Sequence, residues 1–242
     1  MKALRTVVLI LIPLCACIIL HPMCAKVSDE DWAHSESANS LHQLCLAVQT
    51  YHQVNGRMPP SAILGKNGQP LLSWRVLLLP YVEEDQFFRE FHLDEPWDSP
   101  HNQLLLGKMP RVFSNVMGTE SGMTHYQVLV GPGTPFEKEG LTWADFSDGK
   151  SNTILIVEAT EGVPWTKPVD LHYDPDVPLD VLGRFHHKSI HFCGYTIGSR
   201  QVFNAVFADG SVHSFRKGKD PESLRGFITR NGAEPLDWSY ID

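Results

Sequence analysis

Two short apolar runs joined by an Asp-Gly dipeptide limit the folds open to this chain more than any other stretch. From Phe203 to Phe215 the sequence reads FNAVFADGSVHSF. Val206, Val212 and Phe215 can be buried while Ala208-Asp209-Gly210-Ser211 stays at a water-facing tip. Asp-Gly between alternating runs is a strong hairpin signal, because a type I′ turn needs positive φ at both central residues. The stretch predicts a β-hairpin turning at Asp209-Gly210, and with it an antiparallel sheet in the C-terminal half.

The other end has a different character. Lys2 and Arg5 precede an uncharged run over 6–20, mostly Val, Leu and Ile. A basic start followed by a short apolar run is the signature of a secretory signal, since such a segment need only engage the translocon. The run falls short of the roughly 20 apolar residues that cross a bilayer comfortably, and Pro13 interrupts it. Three fates fit: cleavage after Ala25, lipid modification of Cys17 in the lipobox-like Leu14-Cys15-Ala16-Cys17, or retention as a tilted anchor. Each makes this an exported protein of the periplasm or cell envelope, touching the membrane through this segment if it is retained or lipidated. Residues 1–25 are read as signal peptide or anchor. Residues 26–242 are read as a single exported domain, helix-rich over 30–110 and strand-rich over 111–242.

Charge and cysteine usage narrow the function classes. A net charge of −8, with no basic run, argues against nucleic acid, whose phosphates need concentrated Lys and Arg. Of the 5 cysteines, Cys15, Cys17 and Cys24 lie in or beside the targeting segment. Cys45 and Cys193 remain, either paired in an oxidising compartment or buried as free thiols, and the second reading is preferred. There is no CxxC, hence no case for a structural zinc or a redox motif.

Periodicity then places the elements. Ala38, Leu41, Leu44, Cys45, Val48 and Tyr51 recur at three and four, predicting an amphipathic helix over 31–54. Ser28 or Asp29 can cap its start and Asn55-Gly56 supplies its stop. An apolar run covers 74–79. Phe87, Phe88 and Phe91 predict a short helix with Glu83, Glu84 and Asp85 in its first turn, and another is expected over 99–108. Strands are expected at 126–130 and 153–158, before the two of the hairpin, and a last helix at 221–229. Residues 161–200, rich in Pro, Asp and His, read as a long irregular excursion. The fold class is therefore α+β: an N-terminal amphipathic α-helix packed on an antiparallel β-sheet, with helical and irregular insertions.

No reactive constellation stands out. G-x-S-x-G, H-E-x-x-H and a Walker A loop are all missing from the sequence. His186, His187 and His191 form the densest candidate, and His187 and His191 have the i,i+4 spacing that holds zinc on a helix. Lys188 lies between them without a helix signal, so solvated loop histidines are the preferred reading. Asp145 and Asp148 are the only close carboxylates around the Asp148-Gly149 turn, too few for a calcium loop. Trp74, Trp97, Trp143 and Trp165, interspersed with acids, would suit a sugar cleft, but large aromatics more often fill a core. No cofactor or metal is expected.

Several segments together resemble one bacterial family. They are the hairpin, Asp148-Gly149-Lys150-Ser151-Asn152-Thr153, Val163-Pro164-Trp165-Thr166-Lys167-Pro168, and Ile228-Thr229-Arg230-Asn231-Gly232. Leu72 to Tyr81 (LSWRVLLLPY) and Asp94 to Asn102 (DEPWDSPHN) belong with them. The chain is identified over 35–236 as similar to domain-of-unknown-function family 1559, the prepilin-type-processing-associated H-x9-DG proteins. The resemblance implies a pilin-like or pseudopilin-like architecture. It marks Asp148, Gly149, Ser151, Asn152, Trp165, Asp209, Gly210, Arg230 and Asn231 as family-motif residues. Two departures stand out. The prepilin cleavage motif Gly-Phe-Thr-Leu-x-Glu does not occur, and the signature His position holds Ser199, so the chain either does without that His or borrows a neighbour such as His191. A non-enzymatic envelope structural or interaction protein is the leading expectation, its partners envelope proteins or copies of itself. A glycan or small-solute binding module and a hydrolase using the loop histidines are the alternatives.

Overall fold

The computed structural model describes residues 29–114, 120–177, 186–192, 195–216 and 221–241. The targeting segment, Cys193 and the proposed cap Ser28 lie outside them, and Asp29, the other proposed cap, is the first residue of the helix. Helix α1 (Asp29–Asn55) is the longest element. Leu41, Leu44, Cys45 and Val48 are fully buried, Tyr51 nearly so, and Ala33 and Ala47 join them, while Ala38 is only half-buried. The helix stops as its sequence dictates. Gly56 takes φ +71 and its N–H donates to His52 O at 2.8 Å, a conformation that costs a residue without Cβ nothing.

After α1 come the short antiparallel pair β1 (Ala62–Leu64) and β2 (Pro70–Ser73), then α2 (Trp74–Leu77), capped by the Ser73 hydroxyl, and α3 (Asp85–Phe88). The segments expected as helices over 99–108 and 221–229 are 3-10 turns, Asn102–Lys108 and Pro221–Phe227. Gly107 and Gly226 sit inside them, and glycine costs an α-helix about 1 kcal/mol.

The main sheet has the order β3 (Met123–Gln127), β5 (Ile154–Pro164), β8 (Tyr195–Phe207), β7 (His186–Phe192), with β9 (Val212–Arg216) also paired to β8. All of its pairings are antiparallel. The strand expected at 126–130 is broken at Val128. Beyond the break β4 (Leu129–Val130) pairs in parallel with β6 (Leu171–His172). Gly131 permits that approach, because a Cβ there would lie 1.9 Å from Tyr173 O.

The irregular excursion expected at 161–200 needs correcting. It holds the end of β5, all of β6 and β7, and the start of β8, with β7 and β8 paired antiparallel from His186↔Val202 to Phe192↔Tyr195 across a register shift between Ile190 and His191. Its strands carry polar and histidine residues in place of an apolar alternation, so cross-strand pairing makes them rather than side-chain pattern. On β7, His187 and His191 are four strand residues apart, about 13 Å along the backbone, which removes the helical zinc geometry.

Both faces of the sheet are covered. Val206 and Ala208 join the core under α1, with Leu155, Ile156 and Trp165. Phe203, Ala205 and Phe207 point the other way, to Phe215, Leu224, Phe227 and Ile228. The period of two in β8 thus feeds two cores at once.

A buried ion pair closes the seam between α2 and the sheet. Arg75 Nη2 lies 2.7 Å from Asp170 Oδ1, with side chains 0% and 3% exposed. Arg75 Nε and Nη2 both donate to Tyr126 O on β3, and Nη1 donates to the Ser73 hydroxyl. Asp170 Oδ1 also accepts from Trp74 Nε1 and Val128 N–H. Burial pushes the guanidinium down and the carboxyl up, while their mutual attraction and these bonds oppose it. Asp170→Asn would leave a fully buried cation unmatched. The expected loss is about 3–5 kcal/mol, read from the urea midpoint, and Arg75→Met with Asp170→Leu should not restore it, because Trp74 Nε1, Val128 N–H and Tyr126 O would lose their partners. A loss below about 1 kcal/mol would place the pair among contacts of little weight.

Candidate functional site

The motif residues gather mainly where three turns meet the C-terminal half of α1. At the hairpin tip, Gly210 N–H donates to Phe207 O and Phe207 N–H to Ser211 O, with Gly210 at φ +97. Asp209 is not at positive φ, so the turn is type I followed by a glycine bulge, not the expected type I′. Asp209 Oδ1 accepts from the Ser211 N–H and hydroxyl and stiffens the tip. The tip is docked on the helix: His42 Nδ1 is 2.8 Å from Gly210 O, and Gln49 Nε2 donates to Ala208 O at 3.0 Å.

The Asp148-Gly149 turn sits beside it. Ala208 N–H donates to Thr153 O, tying the two turns together. Gly149 has φ 94 and ψ 145, a region closed to other residues, and Asn152 Nδ2 donates to Asp148 O at 2.7 Å. Asp148 N–H donates to Arg230 O, and Asp148 Oδ2 accepts from Ala233 N–H. Arg230 is 5% exposed, bonded to Thr134 O and paired with Glu137 at 2.8 Å. Asn231 and Ser151 are exposed at the rim. Trp165 is not part of this cluster. It is fully buried, donates to Leu106 O, and packs against Phe113, Phe91 and Phe87.

These carboxylates are committed to backbone. Asp145 Oδ2 accepts from Thr142 N–H and hydroxyl, bonds that hold its pKa below the usual carboxylate range, and Asp148 caps Ala233. The pair therefore forms turns, and among the described residues no group of three or more His, Cys, Asp or Glu could hold a metal ion. The aromatic cleft does not form either. Trp74 and Trp165 are core, and Trp97 and Trp143 are half-buried beneath Lys167 and Lys150. Cys45 is a free buried thiol whose Sγ donates to Phe207 O, its pKa pushed up to about 12 by burial and by Asp209.

Sequence reasoning missed the polar network between α1 and the sheet. Glu158, fully buried on β5, accepts from the Ser37 hydroxyl of α1 and, at 2.7 Å, from Asn204 N–H of β8. Tyr126 OH donates to Ser37 Oγ, and burial first, then Glu158, raises that phenol well above its ordinary pKa. Asn204 Nδ2 donates to His34 O, and the Ser214 hydroxyl donates to Asn204 Oδ1. A lone Glu closing the apolar run Ile154-Leu155-Ile156-Val157 was the available signal. Asn102 is a second case: its amide bonds His92 N–H and O, Glu95 O and Pro96 O, closing the loop of the DEPWDSPHN motif.

Two surface hollows flank these elements. One of about 380 Å³ runs between α1 and the 3-10 turn Arg111–Phe113. Another of about 490 Å³ lies by the β1–β2 connection, near Lys66, Asn67 and Asp94.

With this geometry in place, comparison with known proteins adds one finding. Residues 35–113 match the model of a family described as a protein of unknown function (DUF1559). Over that stretch the chain is similar to DUF1559 proteins. The DUF1559 match contains α1, the buried Arg75 and the loop closed by Asn102, whereas the Asp148, Trp165, Asp209 and Arg230 motifs lie beyond it. No curated protein and no solved structure matches the chain.

Two outcomes follow from the cluster. Gly149→Ala meets no atom closer than Asn152 Nδ2 at 3.6 Å, so its cost is backbone strain alone. Thermal unfolding should show a loss of about 1–3 kcal/mol. His52 and His213 both have lowered pKa values, chiefly from burial. His52 Nε2 accepts from Trp143 N–H, a bond that only the neutral ring makes. For a base depressed in the folded state, stability is full above the ordinary value of 6.5 and is lost as pH falls through the lowered one. Denaturation midpoints should therefore drop below that value, and His52→Gln should flatten the profile.

Proposed function

We propose that this is an exported, non-enzymatic structural or interaction protein of the cell envelope, built on a pseudopilin-like scaffold. One observation carries the reading: most motif side chains, Ser151 and Asn231 apart, are spent on turns and core, while α1 keeps an unburied outer face with Trp32, Leu46 and Val54 exposed. A long amphipathic rod over an antiparallel sheet supports the pilin-like comparison. The basic start and apolar run over 6–20 support export. The partners on this reading are copies of the chain or components of a secretion apparatus.

The test is made in intact cells. A photo-reactive residue at Leu46 should give adducts with an envelope protein or with a second copy. Mass spectrometry of fractionated cells should find the chain beginning at Lys26, at a lipidated Cys17, or at Met1 in the membrane. An intact leader on cytosolic protein, or turnover abolished by replacing a single histidine, would overturn the proposal.

A further inference from the structure

The hollow beside α1 has a lining of one chemical kind. Asn39 and Gln43 present exposed amides, Ser40 a hydroxyl, and Val112 the one apolar side chain. Glu36 and Arg111, from facing walls, are paired to each other at 2.8 Å. The lining thus offers no unbalanced charge to an ionic ligand, and its exposed surface mixes polar atoms with aliphatic stems in nearly equal parts. Its remaining member, His42, is engaged with Gly210 O. Trp32 is 48% exposed and stands one helical turn before Glu36 on the same face, with Asn39 and Gln43 continuing the row. Planar amides with paired donors and acceptors match vicinal hydroxyls, and an open indole face suits the C–H side of a pyranose.

We infer that this groove binds a neutral carbohydrate chain, with Asn39 and Gln43 taking ring hydroxyls and Trp32 stacking on a neighbouring sugar. The inference goes beyond the envelope reading and is measured without it, on the purified full-length protein. The probes are maltohexaose, cellohexaose and chitohexaose, with a neutral Ser/Asn/Gly hexapeptide as the competing class. Calorimetry should show at least one saccharide saturating with a Kd of about 1 mM or tighter. Asn39→Ala with Gln43→Ala should weaken it about tenfold or more, two hydrogen bonds being lost. Trp32→Ala should weaken it by about tenfold. All three side chains are exposed, so the fold survives their removal, and Leu64→Ala in the other hollow should leave binding unchanged. Failure of every saccharide to saturate by about 10 mM, binding of the peptide instead, or saccharide binding indifferent to the groove variants would overturn it.

Discussion

A helix laid over a sheet through aliphatic contacts alone is free to slide and to roll, because the hydrophobic effect has no direction. The Glu158 carboxylate removes that freedom. It takes a hydroxyl from Ser37 on α1 and a backbone N–H from Asn204 on β8, so that helix and sheet share one acceptor in a dry interior. Tyr126 reaches the same serine from β3, and Asn204 reaches back to His34. A half-satisfied network there would cost more than an apolar one. The rotation of α1 that follows decides which side chains face water, and thereby creates both the outer face and the groove.

The sheet is closed to growth over its two faces and at its β3 end. Its two faces are buried, one under α1 and one under the C-terminal segment. At one end strand, β3, the Arg75 guanidinium occupies Tyr126 O, and just beyond it Val128 is taken by Asp170 and Leu171. Edge strands invite pairing with foreign chains, and a charged group over the edge is a common deterrent. The exposed apolar side chains of α1, Trp32, Leu46 and Val54, are thus set apart from the guarded backbone of β3.

How far the sequence could be read depended on whether the signal was local. The α1 stripe, its Gly56 stop, the short helix after Glu84 and the Asp209-Gly210 hairpin are all set by neighbours in sequence, and all are present. The turn type was mistaken because Asp-Gly also serves a type I turn whose bulge needs positive φ only at glycine. The β7–β8 hairpin was invisible because its residues carry no apolar alternation. Arg75 and Asp170 are 95 residues apart, and no pattern in either neighbourhood announces the other. Of the candidate site, the turn residues were legible as turns. The Glu158 network was not, because its members come from α1, β3, β5, β8 and β9 and share only a place.

The docking of the hairpin tip on the first helix also has a temporal side. His42 and Gly210 are 168 residues apart, and Gln49 and Ala208 are 159. Contacts of such separation form late, since the intervening loop must be ordered first. Whether the polypeptide emerges from a ribosome or threads through a translocation pore, its leading rod arrives long before the strands that shelter it. In that interval the stripe of Leu41, Leu44 and Val48 shares its core only with the segment that directly follows, from Met58 to Phe113. Apolar surface that waits in this way for its remaining cover is the kind on which unfinished chains aggregate.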